Sequence, residues 1–347
     1  MAQALLVDEP AAAVPDGAFV AHDREFDAVL GPYPRLALVL SVDAHEGPVY
    51  VAGEDALYFT TLPKPGNVPA PGFPKVEVKR IALDGDRFPV EAESLSTVRE
   101  DANVANGMAL DRRGRIVACE QSTRSQHAAI TAMDRATRAV ETLVEDWRGL
   151  RLNSPNDVVV RGDGTIWFTD PAYGHLQGFR PEPLLGDFVY RFDPASGELG
   201  VVADSFDKPN GLAFSPDESV LYIGDSGANQ EPGSFHPARP HHIKAFDVRD
   251  GRSLAGERLF CVTAPGFPDG IKVDAEGRVY ASSFRGVQVF APDGRLIGEI
   301  LLPGAVNFTF GGPDGNLLFV TTDDAVWAAV LATTGPPTLR GADPWPS

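Results

Sequence analysis

Six times along the chain, a polar acid or amide is followed by alternating apolar residues, a turn bearing Gly or Asp, and a second apolar run. The segments read AHEGPVYVAGEDALYFTT, ANGMALDRRGRIVACEQ, PNDVVVRGDGTIWFTDP, PNGLAFSPDESVLYIGDS, PDGIKVDAEGRVYASSF and VNFTFGGPDGNLLFVTT. Alternation of period two on either side of a turn predicts a β-hairpin. The opening polar residues are Glu46, Asn106, Asn156, Asn210, Asp269 and Asn307, spaced 38 to 60 residues apart. Each interval has room for a hairpin and two further strands. Six units of four antiparallel strands predict an all-β, six-bladed propeller.

A second register lies 14 residues after the first, at Thr60, Glu120, Asp170, Ser283 and Thr321. The fourth unit reaches Asp225 one residue later, because its turn SPDES is longer. Constant offsets predict equivalent places in every blade. The early strand-like run LALVLSV at 36–42 is expected to complete the last blade and close the ring, leaving no free sheet edge. The chain is read as one domain over 1–347, with an N-terminal extension at 1–34 and a tail at 335–347. Three long irregular stretches, 61–74, 171–186 and 226–242, follow second-register positions and are expected to project from one face, where binding loops are carried.

Composition narrows the function classes. The 347 residues carry a formal charge of −18 and no Lys/Arg-rich run, which argues against a nucleic-acid partner. Two cysteines, Cys119 and Cys261, both in apolar runs, exclude a disulfide scaffold and fit a reducing compartment. No apolar stretch is long enough to span a membrane, and the N-terminus lacks the basic region of a signal peptide. A cytoplasmic enzyme without membrane contact is the expectation. The sequence does not specify an oligomeric state.

The chemistry lies in the first register. Residues that open the innermost strands of a propeller converge at the mouth of its channel. Here they are two carboxylates and four amides. Such oxygen donors without thiols suit Ca²⁺ first, with Mg²⁺, Mn²⁺ or Zn²⁺ as alternatives. Two carboxylates aimed at one small volume repel unless a cation lies between them. One Asn-Gly or Asp-Gly pair means only a turn; six positions in register mean more. No GxSxG elbow, HExxH, P-loop or GxGxxG is present.

The runs HEGPVY, SPNDVVVRGDGTIWFTDPAYG, PNGLAFSPDESVLYIGDS and PDGIKVDAEGRVYASS resemble the gluconolactonase family that includes senescence marker protein (regucalcin) and luciferin-regenerating enzyme. HEGPVYV is most like the fungal-type lactonohydrolases of that group. The resemblance spans roughly residues 35–330. It implies a six-bladed propeller with one divalent cation, held here by Glu46, Asn210 and Asp269, with Asn156 close to both metal and substrate. On the same pattern Asn106, Asn307, Asp225, Asp170 and Glu120 are expected around the substrate, or as support behind it. Two departures stand out. Phe59-Thr60-Thr61 replaces an ending that is often acidic, and no Arg precedes Asn156, where Ser154 and Pro155 lie.

The expected reaction is addition of water to a lactone, with Asp269 as base and the amides of Asn156 or Asn106 as oxyanion donors. A metal-dependent phosphotriesterase on the same scaffold and a non-enzymatic Ca²⁺-binding propeller stay open as alternatives.

Overall fold

In a computed structural model, which describes residues 17–63, 74–122 and 126–336, six four-stranded antiparallel units are arranged in sequence order. Blade 1 comprises Glu46–Val51, Ala56–Thr60, Val78–Ala82 and Leu95–Arg99. Blades 2, 3 and 4 occupy 105–144, 158–203 and 209–262. Blade 5 occupies 271–301, and blade 6 combines 308–330 with Arg35–Ser41. Closure is as the sequence predicts: Arg35–Ser41 pairs antiparallel with Ala325–Val330, and Leu38 faces Trp327.

The blades cohere through their faces. Each apolar cluster joins two neighbouring blades. Trp167 packs toward blade 4 with Leu212, Leu221 and Phe246. Its strand neighbours Ile166 and Phe168 pack toward blade 2 with Val117 and Ile130. Alternation along one strand therefore serves two interfaces. This is why second strands such as Ile166–Asp170 are buried at every position, with half-buried Val220 of blade 4 an exception, and read as nearly unbroken apolar runs.

Part of the stretch read as an extension is built into the fold. Phe19–Ala21 pairs with Leu296–Leu301 and adds a fifth strand to blade 5. The short helix Phe26–Leu30 follows, and the Phe26 ring is wholly buried over the interface of blades 5 and 6. Gly298 has no side chain because a Cβ there would meet that ring at 2.3 Å.

Among the three long loops, residues 64–73 lie outside the described residues. So do 1–16 of the extension and 337–347 of the tail. Among the described residues, no helix is long and apolar enough to cross a membrane. Cys119 and Cys261 are both free and buried.

Candidate functional site

The site begins with how each inner strand starts. Glu46 pairs with Thr60, Ala105 with Glu120 and Pro209 with Asp225, and a bulge follows directly in each case. Bulges re-aim side chains at such rims. The first and second registers thus meet at one face, as the constant offsets predict. The glycine after a ring residue is dictated by crowding around the axis. Gly107 N–H donates to the Asn156 carbonyl at 2.8 Å, and Gly211 N–H to the Asp269 carbonyl at 3.0 Å. A Cβ on Gly211 would lie 2.1 Å from that same carbonyl oxygen. Gly47 has φ 57°, and a Cβ there would lie 2.5 Å from the Asn106 carbonyl. The Asn-Gly and Asp-Gly pairs are therefore a backbone ring around the channel.

Two carboxylates stand opposed within that ring. Burial pushes the Glu46 carboxyl above its ordinary value, and the charge of Asp269 pushes it further. Burial likewise raises Asp269, and Asp157 adds to the effect against the opposing bond from Asn210. The Glu46 and Asp269 carboxyls lie within hydrogen-bonding reach of each other. Without a cation, the pair is best satisfied by holding a proton.

The amides divide into two kinds. Asn106 and Asn156 are 9% and 6% exposed, and neither Oδ1 accepts a hydrogen bond. Asn307 is fully engaged. Its Nδ2 donates to Glu46 Oε2 at 2.7 Å. Its Oδ1 accepts from Phe308 N–H at 2.8 Å and from Lys272 Nζ at 3.2 Å. Asn307 therefore orients Glu46. Asn210 is buried against Asp269 and Tyr173.

A divalent cation fits this donor set. Among the described residues no three or more His, Cys, Asp or Glu converge as a metal site. Two raised carboxylates beside buried amide oxygens without donors would offer such an ion hard oxygen ligands, with amides completing the set.

The acids of the second register face backward. Asp170 accepts the N–H groups of Asn153 and Ser154 at 2.9 and 2.7 Å. Asp225 accepts those of Asp207 and Lys208 at 3.0 and 2.9 Å. In both blades these N–H groups lie three and two residues before the ring residue, so the carboxylate fixes the segment delivering it. Glu120 is held by Arg99, by Thr131 Oγ1 at 2.7 Å and by Asn103 Nδ2 at 2.9 Å. Thr60 and Thr321 act on carbonyls instead, donating to those of Asn106 at 3.2 Å and Asn307 at 3.0 Å.

Other residues at the mouth were not singled out from sequence. Asn103 and Asn153 also carry buried Oδ1 atoms without a donor. Each lies three residues before a ring asparagine, so the repeated pattern N-x-x-N in NVAN and NSPN was the available signal. Asp157 is buried and raised by that burial, with Lys272 the opposing charge. Tyr173 comes from the short helix Tyr173–Leu176 in the loop after blade 3's second strand. The ring is buried beside Ser226, Asn210 and Asp269, and its Oη makes no well-formed hydrogen bond. The same loop carries Phe179 to the interface of blades 1 and 2. It also places Arg180 on the carbonyls of Leu152 and Asn153 at 2.8 and 3.0 Å. A guanidinium thus stands against the Asn156 segment although Ser154 and Pro155, not an Arg, immediately precede Asn156. His45 Nδ1 lies 2.6 Å from Asp323 Oδ1. Burial works against its charge, but Asp323 and Glu46 outweigh it, and its pKa is raised.

Known proteins resemble this chain in sequence and fold. Residues 44–324 match the family described as the SMP-30/Gluconolactonase/LRE-like region. A gluconolactonase of Zymomonas mobilis is 30% identical over 92% of this chain and 87% of its own length. The lactonohydrolase oryL of Aspergillus oryzae is 30% identical over 87% of this chain and 69% of its own. The solved structure of XC5397, a gluconolactonase from Xanthomonas campestris, is 34% identical, covers 90% of this chain and 94% of that one, and superposes with a TM-score of 0.72. With its six blades, polar ring and matching span, this chain belongs to the SMP-30/gluconolactonase/LRE-like family.

Proposed function

We propose that the protein is a lactonase that opens a small lactone at the channel mouth with the help of one divalent cation, Ca²⁺ first among the candidates. Glu46, Asp269, Asn210 and Asn156 would hold the ion. The observation that carries this reading is the pairing of two carboxylates raised by burial and by neighbouring acids with buried amide oxygens that lack donors. When bound, the cation would polarise the lactone carbonyl and ease deprotonation of water. Mg²⁺, Mn²⁺ and Zn²⁺ are the alternative ions.

The residues divide the remaining work. Asp269 takes the proton of the attacking water as the new C–O bond forms. Negative charge then gathers on the former carbonyl oxygen, where Tyr173 Oη–H and the amide N–H groups of Asn156 and Asn106 can donate. The ring C–O bond breaks and Asp269 returns the proton to the departing alkoxide. The product is an open hydroxy acid, and atoms and charge balance. Asn307 keeps Glu46 aimed inward. Asp170 and Asp225 serve by holding the segments that deliver Asn156 and Asn210. The free buried thiols support a reducing compartment, hence the cytoplasm.

The test is hydrolysis of gluconolactone, galactonolactone and pantolactone in a pH-stat after EDTA treatment, with each cation added back. Activity lost on chelation, restored by one ion and absent in Asp269→Ala is the expected result. Activity indifferent to EDTA would overturn the metal's role. Turnover of a fluorophosphate in place of every lactone would move the assignment to a phosphotriesterase.

A further inference from the structure

The rim of the mouth is not uniform. On the side of blades 6 and 1 it carries the ion pair of His45 with Asp323. On the side of blades 4 and 5 it carries aromatic rings. Three separate segments bring these rings together: Phe235 from the loop after blade 4's second strand, Phe267 from the segment entering blade 5, and Phe284 from the turn after blade 5's second strand. Phe235 and Phe284 stand edge to face at 5.2 Å, and Phe267 and Phe284 at 5.6 Å. His241 extends the group, 5.9 Å from Phe235.

Two facts tie this cluster to the reaction centre. Phe267 lies two residues before Asp269, and Phe284 two residues after Ser282, whose Oγ accepts the Asp269 N–H at 2.8 Å. Two residues span at most about 7 Å, so Phe267 begins beside Asp269 and Phe284 beside the serine bonded to it. The cluster is also held in place. Phe284 N–H donates to the Pro265 carbonyl at 3.0 Å, and Gly266, at φ 108°, has no room for a Cβ because the Phe284 ring lies 2.8 Å from that position. Yet Phe284 remains 48% exposed and Phe235 37%. Aromatic rings packed on one another, fixed by backbone and left open to water next to a reaction centre form an apolar subsite. A polyhydroxylated ring would find no hydrogen-bond partner in these three phenylalanine side chains.

From this geometry we infer that the substrate is a lactone bearing an alkyl or aryl substituent, with the lactone group on the polar ring and the substituent on Phe235, Phe267 and Phe284. This rests on the lactonase reading and narrows its substrate class. The reacting atoms stay those described above.

The experiment compares δ-valerolactone, δ-nonalactone, dihydrocoumarin and glucono-δ-lactone, using kcat/KM on the cation-loaded enzyme. Each methylene buried is worth about fourfold in binding, so the butyl-bearing δ-nonalactone should exceed δ-valerolactone by about 10- to 100-fold. Phe284→Ser and Phe235→Ser, both at partly exposed positions and checked for folding by circular dichroism, should each shrink that ratio at least about threefold. The second readout needs no turnover: calorimetric binding of δ-valerolactam and its butyl-substituted homologue should show the same gradient and the same loss in the variants. A flat gradient, a preference for glucono-δ-lactone, or variants that leave the ratio unchanged would overturn the inference. A Phe284→Ser change that turned a dimer into a monomer without altering the ratio would assign the rings to a subunit contact and also overturn it. Failure to open any lactone would sink the lactonase reading, and the lactam gradient would still decide this one.

Discussion

The two ends of the propeller are both acidic, and they treat their acids in opposite ways. At the end away from the mouth, turn carboxylates are surrounded by donors. Asp134 accepts the Thr137 N–H at 2.7 Å and the Ala136 N–H at 3.1 Å, which hold it below its ordinary value. Asp163 is lowered too: some burial opposes this, but bonds from Thr165 and the charge of Arg161 prevail. At the mouth, Glu46, Asp269 and Asp157 are all raised, first by burial. An acid in a turn has its charge satisfied by the chain. Glu46 and Asp269 stay raised despite the bonds from Asn307 and Asn210, a cost that a bound cation would relieve.

Removing charge at the mouth should have the largest effect. Asp269→Ala and Glu46→Gln are expected to lower lactone kcat/KM by about 10³-fold or more, with cation binding weakened in calorimetry. Retained activity would mean the mouth is no different from the turns. Next, Asn307→Ala removes the side-chain amide that donates to Glu46 and should weaken cation affinity by about 10- to 100-fold while leaving the fold intact. The third prediction concerns pH. In EDTA, folding holds Glu46 and Asp269 protonated past their ordinary values of 4.5 and 3.8, so the folded state binds more protons than the unfolded one. Stability therefore falls as pH rises from those values toward neutrality. Cation at about 100 times its Kd should restore about 2.7 kcal/mol at neutral pH and release protons on binding, which unfolding curves and unbuffered calorimetry would show. A cation-free protein more stable at pH 8 than at pH 5 would contradict it. The smallest effect is reserved for the far end: Asp163→Asn should lower the Tm by only about 2 °C and leave kcat/KM within about twofold.

The fold was legible because propeller blades are repeats, and a repeat writes itself six times. Closure by residues 36–42 was legible for the same reason: one strand was missing at the end and one was spare at the start. The roles of ring residues were harder to read. Asn106, Asn156 and Asn307 share a register, but only Asn307 meets Lys272, a residue three places beyond Asp269 in another blade. That contact depends on blade-to-blade packing, which spacing does not encode. Tyr173 and Arg180 were hidden inside a loop whose path across the mouth no periodicity describes. The backward-facing Asp170 and Asp225 could have been read from the sequence, since a carboxylate placed beside the backbone that precedes a ligand has two N–H groups to take.

The pairing of Arg35–Ser41 with Ala325–Val330 also bears on how a ribosome delivers this protein. Arg35–Ser41 emerges from the exit tunnel before any of the six hairpins, and its partner Ala325–Val330 only after blades 1 to 5 have been made. Until then Leu36, buried in the finished ring at the interface of blades 5 and 6, and Val39, buried at that of blades 6 and 1, have no blade 6 to cover them. The nascent chain therefore carries an unpaired strand while blades 1 to 5 are made, and Glu46 gains the Asn307 amide that steers it only when blade 6 arrives.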